Sequence, residues 1–345
     1  MELIKDVDPG RITLAREARG WTQQDLAEKL HLHRANVSRL ETGETNVYEE
    51  TLISLSRATD FPPQFFKLQG GVPQTKPAYR KRNHVTSKLL SMVEARMKIV
   101  KGNIQLITAA LGKEVPRLPV YEVTGERSPA QIAALVRKHW NLTEGMIGNL
   151  TQIVESKGII ISSFHFATER VDSRSMLTSD KHPIIFLNKN LLGDRLRYSL
   201  AYELGGLIMH ALFPVNDDRD VSKEANQFAA EFLMPEEAIL KDFDGGITLS
   251  KLADLKLKWK VSMISLLYRA DDLGLLTSNQ KRYLLQQFND RKIRRSEPRE
   301  LDIEVEQPSL LRNLINHYVK EYEMGIKQMA DVFAISINDY VDYYG

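Results

Sequence analysis

From Ile12 to Phe66 the apolar residues recur at helical spacing in short blocks separated by turn residues, which predicts a small five-helix bundle. Thr22 stands where its hydroxyl can cap an unpaired amide, and Leu26, Ala27 and Leu30 then form an inward stripe. A turn through His31 and Leu32 leads to a second helix from about Arg34 to Glu41, closed by Gly43, a residue suited to a left-handed cap. Val37 and Leu40 face the core of this helix, so Arg34, Ala35, Ser38 and Arg39 face away from it. Further on, Ser128–Trp140 reads as a capped amphipathic helix with Pro129 at its first position, and Asn149–Ser156 as another. Gly158–Phe164 and Pro183–Asn188 have the β-branched character of strands. Ile247–Gly274 gives two helices joined at Lys260 and Val261, with Ser262 as the second cap, and Gly325–Ile337 loosely repeats that pattern. The expected fold class is multidomain and mainly α: an N-terminal helical bundle, an α+β middle domain with a small sheet, and a helical C-terminal region.

Composition narrows this only a little. A chain of 345 residues, 43% hydrophobic and 27% charged, is long enough for several domains with ordinary cores. It has no cysteine, so disulfides and thiolate metal sites are excluded. No apolar run approaches a bilayer span and the N-terminus lacks a signal-peptide pattern, so a cytoplasmic protein that does not contact membrane is expected. The net charge of +2 hides one uneven stretch. Between Lys67 and Lys101 lie Lys76, Arg80, Lys81, Arg82, Lys88, Arg96 and Lys98, with Glu94 the sole acid, and such a run suits either DNA phosphates or a solvated linker. The acidic stretch through Glu297, Glu300, Asp302, Glu304 and Glu306 reads as an exposed connection.

The geometry of the N-terminal bundle is the one that major-groove reading requires: a helix presenting its first turn to base edges while the preceding helix crosses the backbone. Trp21–Leu30 followed by Val37–Gly43 resembles the Cro/phage-repressor (XRE) family of helix-turn-helix domains over roughly residues 8 to 67. That resemblance implies that Gln23 holds a phosphate, that Arg34, Ala35 and Arg39 meet bases, and that Asn36 and Ser38 share the same surface. His33 replaces the small capping residue usual there and is a candidate phosphate contact. The expected partner is double-stranded operator DNA, read by a homodimer.

Tyr198–His210 reads as a zinc-peptidase helix with its ligands replaced. An H-E-x-x-H helix needs two imidazoles one turn apart and an intervening Glu to activate the metal-bound water. Tyr202 and Gly206 occupy the imidazole places and only Glu203 survives. Pro183–Asn188, Gly193–Leu200, Glu203–Gly205 and Glu224–Pro235 together resemble the ImmA/IrrE metallopeptidases, which implies a zincin-like fold, a base at Glu203 and a third ligand at Glu224. The remnant set of Glu203, Glu224 and His210 is poor for catalytic zinc, so no metal, no cofactor and no enzymatic activity are expected. Tyr202 is expected to fill the vacated volume with its hydroxyl on a neighbouring carboxylate, and Glu203 and Glu224, brought close, to repel until one rises in pKa.

Boundaries are placed at 1–67 for the DNA-binding domain, 68–115 for a basic linker and helix, 116–240 for the peptidase-like domain, 241–300 for a helical extension and 301–345 for a C-terminal segment. The reading that follows is a sequence-specific transcriptional regulator, most simply a repressor, whose peptidase-like domain senses a small effector, binds a partner protein or dimerises. Fusions of this type also occur beside phage or toxin–antitoxin genes, which by resemblance admits an antitoxin-like role. The competing classes are an active peptidase with a shifted site of Glu203, His210 and Glu224, and a pure interaction module. Met263, Ile264 and Leu267 suit core or a subunit contact better than a second DNA-binding element.

Overall fold

The computed structural model describes residues 3–4, 6–69, 80–81, 85–142, 145–213, 216, 218–294 and 296–345. The N-terminal bundle comprises α1 (Pro9–Ala18), α2 (Gln23–Leu30), α3 (Arg34–Thr42) and α4 (Glu49–Thr59), and its fifth helical piece is the 3-10 turn Pro63–Lys67. Local signals delimit these helices. Thr22 and Asp25 form a reciprocal capping box at the start of α2, while His31 at φ 54° and Gly43 at φ 78° stop α2 and α3 in the left-handed region. Strands β1 (Leu3–Ile4) and β2 (Val47–Tyr48), too short to carry a period, pair antiparallel across the bundle.

The basic stretch behaves differently from a linker. Arg80–Lys81 forms β3, and the 24-residue helix α5 (Ser87–Ala110) lies against α1. Arg96 donates to the carbonyl of Ala18, Lys88 to Asp25 at 3.1 Å, and Lys98 approaches Glu94. These cations hold α5 to the rest of the chain. Lys76 and Arg82 lie outside the described residues.

Beyond α5 come α6 (Pro129–His139), α7 (Leu150–Ser156), and strands β4 (Ile160–Phe164), β5 (Val171–Leu177) and β6 (Pro183–Asn188). The sheet order is β3-β5-β6-β4, with β4 parallel to β6 and the other pairs antiparallel. Strand alternation splits its side chains between two cores. Ile161, Ile185 and Leu187 join the core built with α6, α7, α8 (Gly193–Met209), α9 (Val221–Leu233), α10 (Glu236–Phe243), α11 (Leu249–Trp259), α12 (Met263–Asp272) and α13 (Ser278–Asp290). Ile160, Phe164, Ile184 and Phe186 join a second core, which runs without a break through α5, the N-terminal bundle and the C-terminal helices α14 (Leu310–Glu321), α15 (Ile326–Val332) and α16 (Ile337–Tyr344). Met263 and Leu267 are fully enclosed in the first core and Ile264 packs on its edge, so they serve this chain's own interior.

The acidic connection is a latched strap and not an exposed one. Glu297 accepts from Lys256 at 2.7 Å, Glu306 pairs with Arg197 and accepts the Thr151 amide at 2.7 Å, and Glu155 accepts the amides of Ser309 and Leu310. Gly193 shows how close the strap runs, since a Cβ there would collide with the carbonyl oxygens of Ile303 and Glu304. Glu300, Asp302 and Glu304 stay in solvent. A hydropathy pattern cannot tell these two kinds of glutamate apart, because the buried ones are there by virtue of their partners.

Candidate functional site

Two sites stand out, one on α3 and one at the end of α8. On α3 the buried side is Val37 and Leu40, and the opposite side exposes His33, Arg34, Ala35 and Arg39, with Asn36 and Ser38 half-buried at its margin. Neither Arg34 nor Arg39 has an ion-pair or hydrogen-bond partner among the described residues, so both guanidinium groups face water. His33 caps the helix by position only, with no side-chain bond to the first turn. Gln23 is placed differently from the expected phosphate contact. Its side-chain amide donates to Glu41 at 2.9 Å, and Glu41 also takes Arg16 at 2.5 Å, while Arg16 reaches the Trp21 carbonyl at 2.7 Å. This nearly buried triad ties α1, the start of α2 and the end of α3 into one piece, fixing the angle at which α3 is presented. Sequence reasoning missed it because Arg16 and Glu41 sit on helix faces that otherwise look solvated.

The second site starts from Glu203, whose carboxylate is 3% exposed. It accepts from the Ser173 hydroxyl at 2.8 Å and from the amide and hydroxyl of Ser175 at 2.7 and 2.8 Å. Ser173 pairs with Leu187 and Ser175 with Ile185, so the register puts both serines on the face that α8 covers. The signal was available as a Ser-x-Ser alternation, yet β5 is hard to recognise as a strand because Asp172 and Arg174 are also buried in it. Tyr202 is 5% exposed and donates to the Ser222 hydroxyl at 3.2 Å, not to a carboxylate as its sequence context suggested. Gly206 leaves room beside it: a Cβ there would meet only the Ser175 hydroxyl, at 3.6 Å.

His210 ends α8 and its Nε2 lies 2.7 Å from Glu224 of α9. Arg219, which precedes α9, grips the same carboxylate with Nε at 3.0 Å and Nη2 at 2.7 Å. Burial pushes the Glu224 carboxyl upward, but the hydrogen bonds from Arg219 and His210 outweigh it and hold the group below its ordinary value. The expected like-charge rise is therefore reversed, because Glu203 and Glu224 are each occupied by different donors. His210 is lowered, chiefly by burial and further by Arg219, against the pull of Glu224. Arg219 sits in a segment with no periodicity, and nothing in the sequence pointed to it.

Zinc is the metal that the H-E-x-x-H pattern implies, and these residues do not fit it. Tyr202 and Gly206 supply no imidazole, both oxygens of Glu203 are taken by β5, and Glu224 is neutralised by a guanidinium. Among the described residues no group of three or more His, Asp or Glu side chains is placed to hold a metal, so the shifted set of Glu203, His210 and Glu224 is not assembled.

Comparison with known proteins agrees with this division. Residues 12–66 match the family model of the helix-turn-helix, covering α1 to the 3-10 turn, and residues 154–271 match that of the IrrE N-terminal-like domain, running from α7 to α12. The chain is thus a fusion of an XRE-type DNA-binding helix-turn-helix domain with an IrrE-like, peptidase-type domain. No curated protein matches it. Among the described residues no helix is long and apolar enough to cross a membrane.

Proposed function

We propose that this chain is a sequence-specific transcriptional regulator, most simply a repressor, that reads double-stranded operator DNA as a homodimer. The observation that carries the proposal is the two-sided character of α3, with Val37 and Leu40 at 0% and 4% exposure on one side and unpaired Arg34 and Arg39 on the other. An arginine held off the core without an ionic partner retains its fork of donors for guanine or phosphate. Selection of bound sequences from random duplex DNA is expected to return a palindrome with two half-sites about one helical turn apart. Recovery of no enriched motif would overturn the reading.

The IrrE-like domain, in this proposal, performs no peptide hydrolysis and acts in sensing, partner binding or dimerisation. Support comes from the donor set: the groups left over from a metal site are already saturated by serines and an arginine of the same chain. Purified protein is expected to carry sub-stoichiometric zinc and to keep its fold after chelation. One tightly held zinc per chain, lost on His210→Ala, would instead establish a metallopeptidase with shifted ligands.

A further inference from the structure

The α15–α16 hairpin repeats the α2–α3 unit position for position. At the start of α2 the Asp25 carboxylate accepts the Thr22 amide at 2.8 Å, and at the start of α15 the Gln328 carbonyl accepts the Gly325 amide at 2.8 Å. Leu26 and Ala27 are enclosed in the first unit, and Met329 and Ala330 in the second. Five residues after the first of each pair the chain turns left-handed, at His31 (φ 54°) and at Ala334 (φ 51°). Two residues later His33 and Ser336 open the following helix, which Leu40 and Tyr343 anchor at 4% and 3% exposure.

The outward face has a different chemistry. The places of Gln23, Arg34 and Ser38 hold Ile326, Ile337 and Val341, exposed by 59%, 49% and 55%, and the place of Arg39 holds Asp342. A face of three aliphatic side chains beside a carboxylate repels a phosphate backbone. Nor are these residues the frayed end of a loose helix. Asp339 of α16 accepts Arg19 at 2.7 and 2.6 Å, and α16 packs on β4 within the core shared with the N-terminal bundle. Apolar groups held rigidly in water mark a surface that another protein covers.

We infer that this face of α15 and α16 is the contact between two copies of the chain, with the two α16 helices antiparallel across a twofold axis. Antiparallel pairing sets Ile337 against Val341 of the partner subunit and repeats the same match in reverse, which is what a closed twofold contact requires. Charge is complementary in that arrangement alone: Asp342, near the end of α16, comes to the start of the facing helix, where unpaired amides and the helix dipole favour an anion. Because α16 is fixed to α1 through Arg19, the same contact would set the distance between two recognition helices. The inference thus deepens the regulator reading by naming its subunit contact.

The test is made without DNA, so it is independent of operator recognition. The chain has no cysteine, and single thiols report proximity cleanly. Mixed Ile337→Cys and Val341→Cys chains are expected to form a disulfide-linked heterodimer in higher yield than either forms a homodimer, and far above a control with Glu237→Cys on the exposed side of α10. Sedimentation is expected to show a dimer for the native chain and a monomer for the Ile337→Asp, Val341→Asp variant. Cross-linking no better than the control, or a dimer that survives both aspartates, would overturn the assignment. A failed DNA selection together with efficient cross-linking would remove the regulator reading and leave the interface standing.

Discussion

The outer face of α3 and the C-terminal end of α8 carry similar residue types and treat them in opposite ways. Arg34 and Arg39 are exposed and unpaired among the described residues, whereas Glu203, His210, Arg219 and Glu224 are held in hydrogen bonds with one another or with β5. A surface that must bind something from outside keeps its polar groups uncommitted, and one released from that demand satisfies them internally. The Arg16–Glu41–Gln23 triad marks the boundary between the two cases. It is fully committed, yet it lies directly beneath the uncommitted face and sets its orientation.

The sharpest way to break this contrast is to disturb the triad. Glu41→Ala leaves Arg16 buried without its counter-ion and is expected to cost about 3–5 kcal/mol, read as a shift in denaturant midpoint, with operator affinity lost as the bundle opens. Replacing a group on the outer face should instead spare stability. Arg34→Ala and Arg39→Ala are each expected to weaken operator binding by about 1–3 kcal/mol and to relax one base position, with an unchanged melt. Footprinting of the double variant at full native affinity would remove α3 from the interface. Gln23→Ala is expected to combine the two effects at lower amplitude, weakening all DNA sequences about equally and lowering the melting temperature slightly.

At the α8 site the expected effects are smaller and depend on pH. Both Glu224 and His210 have folded pKa values below their unfolded ones, so the unfolded chain binds more protons and stability falls with acid. The histidine contribution is present above its ordinary value of about 6.5 and fades as pH drops below it, and the carboxylate contribution follows below its own ordinary value near 4.3. Arg219→Gln removes a cation that lowers His210 while leaving Glu224 in place, so the imidazole should titrate at higher pH in the variant. An imidazole resonance that follows the same curve in both proteins would show that Arg219 does not govern this site.

The sequence announced those features whose cause is local. The capping box at Thr22, the left-handed turn at His31, the N-cap at Ser262 and the missing imidazoles at Tyr202 and Gly206 all depend on near neighbours, so spacing alone reveals them. What stayed hidden depends on partners far along the chain. Asp172 with Arg195, Glu306 with Arg197 and Asp339 with Arg19 are charges buried by pairing, and each read beforehand as a surface residue. β5 was illegible for the same reason, since its buried positions are filled by polar groups with distant partners, and so was the role of the basic run, whose Lys88 and Arg96 hold α5 against the first bundle.

The core that unites the N-terminal bundle with α14, α15 and α16 has a consequence in time as well as in space. Ribosomes add about 5–20 residues per second, so the helices that seal this core emerge on the order of tens of seconds after the recognition helix they support. Through that interval Arg19 waits for Asp339, and the operator-reading end acquires its final footing only with the last turn of chain. A stop codon a few residues early would therefore be felt first at the opposite end of the polypeptide.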